Sequence, residues 1–284
     1  MKKYLLMLCL GLWQFTLFAA PVPKHIHPPS DDVANILQSI PSPLEVCFLI
    51  KEINKDYNRG YLNNSDFVKN YTMSHKQALN LGIYSTDLGY TNLYEQTQDV
   101  LNYIDAVQGL AKSLNISQYF DYDKIKKLAQ SKNNLDELLQ LTQSNFEQIN
   151  EHLRKRDQTN LSALILTGGW IEGLYISTMV YEKTQNPKLK EKIGEQQIAL
   201  EQIRKVLTMY KDRPHFAPII QDLDQLHYVY SKVKIVTTAG KPILKEEKGE
   251  LVYNQEAVSR VEISNTDIVT ITSLVKAIRD KMVK

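Results

Sequence analysis

The sequence predicts an all-α protein with about eight to ten antiparallel helices and one small β-hairpin near the carboxyl end. The helices would form either a bundle or an array like that of helical-repeat proteins. Apolar residues recur at three- and four-residue spacing through most of the 284 residues, which is the helical period. Helix start and stop signals divide that pattern, and the alternation typical of strands is confined to residues 241–253. We therefore treat residues 30–284 as a single helical domain that contains the hairpin.

Residues 1–20 have the order of a secretory signal peptide. A positive end at residues 1–3 precedes an almost continuous apolar run over residues 4–18, and Ala19-Ala20 then offers small residues. The run is shorter than the ~20 residues that a helix needs to cross a bilayer. We expect an exported protein with no transmembrane segment once the signal is removed. The periplasm is the expected compartment, with secretion or association with the outer membrane as the alternatives.

Charge and cysteine content limit the class of partner. Lys2 and Lys3 account for the whole formal charge of +2, so the chain after residue 20 is neutral and gives no electrostatic reason to expect nucleic acid. Cys9 lies within the signal and lacks the small preceding residue of a lipidated cysteine. Cys47 is then the one thiol of the exported chain, which excludes an internal disulfide. We interpret Cys47 as a small buried apolar side chain.

The first predicted elements follow the signal. Residues 21–29 are rich in proline and predict an extended leader, in which His25 and His27 are interpreted as solvated rather than metal-bound. The first helix begins at Ser42-Pro43, where Glu45 completes a capping box, and is predicted to end near residues 58–60.

Short polar segments or stop signals separate the helices that follow. These helices cover residues 74–93, 95–114, 122–130, 134–156, 159–184, 188–210 and 214–233. Asn115 is predicted to end the helix of residues 95–114 in the left-handed backbone conformation, which asparagine tolerates. After the hairpin around Lys248-Gly249, the last helix begins at Ser264 or Asn265. Its basic residues predict a solvated face that complements the helix dipole: Lys276, Arg279, Lys281 and Lys284.

Two helical segments, residues 79–97 and 166–184, are unusual in their glycine and tyrosine content. Aligned with Gly82 on Gly169, they share several further identities, which favours either an internal duplication or convergent core composition. A glycine inside a helix costs about 1 kcal/mol relative to alanine. The first interpretation is that the glycines let another helix approach closely; the alternative is a gap shaped for a ligand. The glycines in question are Gly82, Gly89, Gly168, Gly169 and Gly173.

Asp87 and Glu172 stand out in these segments because apolar or small residues surround each of them. A carboxylate on a buried face must be neutral, paired or hydrogen-bonded. One interpretation is an internal polar network that fixes the register of the helices. The other is an aromatic pocket with acids at its floor, able to hold a cationic or hydroxylated ligand. The candidate ligand-binding residues of that pocket are Tyr84, Asp87, Tyr90, Trp170, Glu172 and Tyr175.

The chain carries no HExxH, GxSxG, GxxxxGK[ST] or CxxC motif. Its remaining histidines are scattered over different helices: His75, His152, His215 and His227. We therefore predict no catalytic residue, no cofactor and no metal site.

The run ALNLGIYSTDLGY at residues 78–90 and the later GGWIEGLY at residues 168–175 resemble a group of exported, all-helical bacterial envelope proteins with no assigned activity. Many members of that group look like lipoproteins, whereas Cys9 makes a poor lipid site here. The resemblance implies a helical fold and an envelope location, and it carries over no catalytic residue.

We expect a non-catalytic binding or scaffolding protein of the envelope, because helical arrays present extended surfaces and no catalytic motif is present. Its partner would be a protein or a small molecule of that compartment. The alternative is a small-ligand receptor or an enzyme with an aromatic pocket that uses Asp87 and Glu172.

Overall fold

The computed structural model describes residues 30–130, 135–239, 243–247, 250–254 and 257–284. The predicted signal peptide and the proline-rich leader lie outside the described residues, as does the turn at Lys248-Gly249. The helices are α1 (Ser30–Gln38), α2 (Pro43–Ile53), α3 (Ser74–Leu93), α4 (Thr97–Ser113), α5 (Tyr122–Gln130), α6 (Leu135–Lys155), α7 (Thr159–Thr184), α8 (Pro187–Thr208), α9 (Phe216–Tyr230) and α10 (Asn265–Met282). The strands are β1 (Lys234–Ala239), β2 (Ile243–Glu247), β3 (Glu250–Asn254) and β4 (Ala257–Glu262). The predicted all-α fold with a small hairpin is confirmed.

The helix boundaries follow local capping chemistry. Asn115 has a φ of 58° just after α4, as predicted for a left-handed stop. Before α10, the side chain of Ser264 accepts the backbone N–H of Asp267 at 3.0 Å. At the start of α2, the backbone N–H of Ser42 donates to Oε1 of Glu45 at 3.3 Å, which is one half of the predicted capping box.

The largest differences from the predicted helices lie near the amino end. α2 ends at Ile53, earlier than residues 58–60, because the polar residues after it form a turn in which the Asn58 side chain accepts the N–H of Gly60. Helix α1 has no counterpart among the predicted helices, since nine residues before Pro41 and Pro43 give too short a periodic pattern.

Helices α3 and α7 form the central pair of the fold, with the most extensive contact between any two described elements. They run in the same direction. Their amino ends both lie near residues 210–216, where His75 stacks on His215 and Thr159 bonds to Tyr210. Their carboxyl ends both lie near residues 54–56, which Tyr94 and Lys183 contact. The closest packing therefore joins two parallel helices that are far apart in the sequence. The predicted antiparallel arrangement does not hold for this pair, because short connections turn a helix back only on its neighbour in the sequence, and three helices separate α3 from α7.

Glycine makes this close pairing possible. A Cβ atom at Gly82 would collide with the carbonyl oxygen of Ile165, and one at Gly168 would collide with the carbonyl oxygen of Leu79. The contact is reciprocal, with a glycine of each helix against the backbone of the other. The interpretation that glycines permit close helix approach is confirmed at both positions.

Helix α7 is enclosed by its neighbours, which include α2, α3, α8 and α10. Among the described residues it is the one helix long and apolar enough to span a membrane, and 94% of its apolar stretch is buried within the protein. A helix that is apolar on all sides suits the centre of a core.

The β-segment is larger than predicted. Strands β2 and β3 pair antiparallel, from Ile243 opposite Asn254 to Glu247 opposite Glu250, which confirms the hairpin. Strands β1 and β4 flank it in the sequence and form a second antiparallel pair. Val261 of β4 packs against Gly194 of α8, where a Cβ would meet the valine side chain.

Candidate functional site

Asp87 on α3 and Glu172 on α7 lie at the interface of the central pair. Each side chain is 0% exposed. They come together because each lies about one helical turn beyond the glycine contact of its own helix, at Gly82 and Gly168. The fold thus brings Asp87 and Glu172 close together, whereas the sequence identified each of them without predicting that they are neighbours.

Glu172 forms a bidentate ion pair with Arg279 of α10. Nε of the arginine donates to Oε2 and Nη2 donates to Oε1, both at 2.9 Å. The guanidinium also lies over the ring of Tyr175, 4.7 Å from its centroid. Such a fork geometry is the strong form of an Arg–carboxylate contact.

The prediction that Arg279 lies on a solvated face of the last helix is wrong, because this residue is only 8% exposed. Arg279 lies four residues after the buried Val275, on the stripe of α10 that faces the core. The other basic residues of that prediction are exposed: Lys276, Lys281 and Lys284.

Asp87 is held by the backbone, since the N–H of Asn63 donates to Oδ2 at 3.1 Å. Burial raises the pKa of Asp87 well above its ordinary value, the negative charge of Glu172 raises it further, and Arg279 opposes the shift. Oδ1 of Asp87 is buried and has no hydrogen-bond partner among the described residues, and protonation of Asp87 removes the repulsion between the two acids. With Asp87 neutral, the acids and Arg279 carry no net charge, so the cluster is compatible with burial.

Asn63 connects this charge cluster to a wider polar network. The Tyr103 hydroxyl donates to the carbonyl of Asn63 at 2.7 Å, and Nδ2 of Asn63 donates to the Tyr71 hydroxyl at 3.2 Å. The Tyr71 hydroxyl in turn donates to the carbonyl of Val283 at 3.0 Å. The α2–α3 connection, α4 and the end of α10 are therefore bonded together around the two acids. This arrangement favours the internal polar network as the role of the acids.

The aromatic candidates are held in the same interior. Tyr84 and Tyr90 are fully buried, and both hydroxyls bond to the backbone of the segment that joins α2 to α3. Trp170 donates its Nε1–H to Oε1 of Gln196 on α8 at 2.9 Å. Of the six candidate residues, Trp170 is the one that lines either of the two cavities described below.

Cys47 is 0% exposed, as the sequence predicted. Burial is the main cause that raises the pKa of this thiol to about 12, and the nearby acids add to the shift. The thiolate is the nucleophilic form, so Cys47 is inert at neutral pH.

A cavity of about 660 Å³, here called the large cavity, lies between the linker that joins α1 to α2 and helices α3, α6 and α7. Its lining is mainly apolar and includes Leu37, Ile40, Leu81, Leu88, Phe146, Ile149, Ile165 and Leu166. Gly82, Gly89 and Gly169 also line it, so the glycines leave space as well as permit contact. Protein interiors keep few voids larger than a water molecule, whereas ligand pockets reach this volume.

The charged residues that line the large cavity are Glu45 and Glu147, and its described lining holds no lysine, arginine or histidine. Both acids are exposed. Throughout the described ranges, no ion pair engages either of them.

A second cavity of about 320 Å³, the small cavity, lies on the other side of the linker, against α7 and α8. Trp170, Lys192 and Glu195 line it. Pro41, Ser42 and Glu45 line both cavities. Glu45 therefore borders both cavities.

The part of the chain that the structure describes holds no group of three or more metal-ligating side chains. His75 and His215 stack with ring centroids 4.3 Å apart and planes 5° apart. Burial lowers the pKa of His75, and the neighbouring His215 lowers it further. This pair joins the amino ends of α3 and α9.

Comparison with protein families, with curated proteins and with solved structures finds no match to this chain. The resemblance to bacterial envelope proteins stays a prediction, and function is argued from the geometry.

Sequence reasoning missed two features of the site. Arg279 could have been found from its spacing after Val275, which places it on the apolar stripe of α10. The linker of residues 39–42 offers no periodic signal, so its position between two cavities could not be derived from the sequence.

Proposed function

We propose that this protein is an exported, non-catalytic binding protein that holds an apolar small molecule in the large cavity. The large cavity carries the proposal: it is partly open, mainly apolar and about 660 Å³ in volume. Pockets of this size and lining bury most of the surface of a small ligand. The order of residues 1–20 supports export, and the resemblance of residues 78–90 and 168–175 supports the envelope as the compartment.

The state of the reactive groups supports a binding role over catalysis. Glu172 is engaged by Arg279, and Asp87 accepts a backbone hydrogen bond within the same buried cluster. The Cys47 thiol, with its pKa of about 12, is protonated at neutral pH. These groups lie outside the lining of both cavities. A ligand in the large cavity would therefore meet apolar surface and a few polar groups.

Binding of the neutral dye N-phenyl-1-naphthylamine tests the proposal, because its fluorescence rises in an apolar environment. Ser85→Phe places a ring in the large cavity, which Ser85 lines from α3. We expect dye affinity to fall about tenfold or more, since the added ring takes up space and covers apolar surface that the dye would otherwise contact. Ser273→Phe is the matched control, because Ser273 is exposed on α10. It should bind as the parent protein does.

Thermal unfolding of both variants shows whether the fold is kept. A parent protein that leaves the dye fluorescence unchanged would contradict the proposal. A folded Ser85→Phe variant with parental affinity would also contradict it, because the dye would then bind elsewhere.

A further inference from the structure

We infer that the ligand is a single-chain amphiphile with a positively charged end, and that this end lies at Glu45, which borders both the large and the small cavity. The inference rests on the proposed function, because it names the chemical class of the ligand in the same cavity. Three features of the molecule support it.

The first feature is the sign of the charged lining. Glu45 and Glu147 bring two carboxylates to the large cavity, and its described lining holds no cationic side chain. The anionic end of a fatty acid would meet like charge and no ion-pair partner there. A cationic end at Glu45 meets a carboxylate of opposite charge, and Glu147, which accepts a hydrogen bond from Gln143 at 3.1 Å, adds to the negative charge of the lining.

The second feature is that Glu45 is available for a ligand. Its contact with the backbone N–H of Ser42 is long, at 3.3 Å, and no ion pair in the described chain engages it. The amino end of α2 supplies a partial positive charge of about half a unit. The full charge of the Glu45 carboxylate exceeds it, so the site remains negative.

The third feature is the aromatic side of the small cavity. Trp170 lines it together with Glu45, and an indole ring is the best aromatic partner for a cation. Lys192 also lines this cavity, but its Nζ lies 2.7 Å from Oε2 of Glu195, so its charge is compensated. A cationic end at Glu45 therefore borders one cavity that Trp170 also lines and a second, larger cavity that is mainly apolar.

Three probes with the same ten-carbon chain test the inference: decyltrimethylammonium, decan-1-ol and decanoate. Each competes with N-phenyl-1-naphthylamine for the full chain, below the concentration at which the probe forms micelles. We expect the cationic probe to compete about tenfold better than decanoate, with decan-1-ol between them.

Charge substitutions at Glu45 give the sharpest outcome. Glu45→Gln should reduce the preference for decyltrimethylammonium over decanoate about threefold or more, and Glu45→Lys should reverse the preference. Neither change should alter the affinity for decan-1-ol by more than about twofold. Glu52→Lys, an exposed position on the same helix, is the control and should keep the parental order.

The outcomes separate this inference from the proposed function. If decan-1-ol and the dye bind, but decanoate equals or exceeds decyltrimethylammonium, the inference about charge is wrong and the binding function stands. The same conclusion follows if Glu45→Lys keeps the parental order. If the dye binds but none of the probes displaces it, the inference about the ligand is wrong. If the dye does not bind, the proposed function itself fails.

Discussion

Replacing Arg279 by methionine isolates the contribution of the buried charge cluster. The change removes two hydrogen bonds of 2.9 Å and a cation 4.7 Å from the Tyr175 ring, and it leaves Glu172, which is 0% exposed, without its partner. Breaking a buried ion pair in this way costs about 3–5 kcal/mol. For a chain of this size, 1 kcal/mol corresponds to about 2–4 °C in Tm. We therefore expect Tm to fall by about 6–20 °C.

Thermal unfolding followed by far-ultraviolet circular dichroism measures this effect. Lys276→Met is the matched control, because Lys276 is exposed on the same helix, and it should change stability by less than about 0.5 kcal/mol. The double variant Glu172→Met/Arg279→Met should regain most of the loss, since no unpaired charge is left. An Arg279→Met protein that melts within 1 °C of the control would refute the reasoning.

Two further predictions concern the central helix pair. Gly82→Ala should destabilise the protein by at least about 1–3 kcal/mol, because its Cβ would collide with a backbone carbonyl of α7. Gly109→Ala, with nothing within 4 Å of the added Cβ, should stabilise by up to about 1 kcal/mol. Urea unfolding measures both, and equal effects would contradict the close contact. The pKa of Asp87 is higher in the folded protein than in the unfolded chain, so Asp87 contributes to stability in full below about pH 4. As the pH rises toward the folded-state pKa, the unfolded chain has released its proton while the folded protein still holds one, and this contribution is lost. The urea midpoint of Asp87→Asn should therefore rise relative to the parent between about pH 5 and pH 8. The exposed control Asp105→Asn should keep a constant difference, and a constant difference for Asp87→Asn would show that its pKa is not raised.

Much of the fold follows from short-range signals. The ends of α3 and α5 agree with the predicted ranges, because the apolar period and the flanking polar residues coincide there. Strands β1 and β4 have no counterpart among the predicted elements, because the predicted alternation covers residues 241–253 alone. Their pairing joins residues more than a dozen positions apart, which the local sequence does not specify.

The site depended on contacts that only the fold creates. Asp87 and Glu172 could be singled out because each charge interrupts an apolar face, but the partner of Glu172 lies more than a hundred residues away on α10. The basic residues at the end of that helix looked alike in the sequence, and burial distinguishes Arg279 from the rest. The large cavity is a space between four parts of the chain, so no single segment could predict it.

Anomalous diffraction from crystals of this protein grown with 10-bromodecan-1-ol would show where the ligand binds, because the bromine marks the position of the ligand chain. We expect a bromine peak inside the large cavity, which Gly89 of α3 and Gly169 of α7 line. Crystals that show no bromine there, or bromine only on the outer surface, would contradict the claim that this cavity is a binding site.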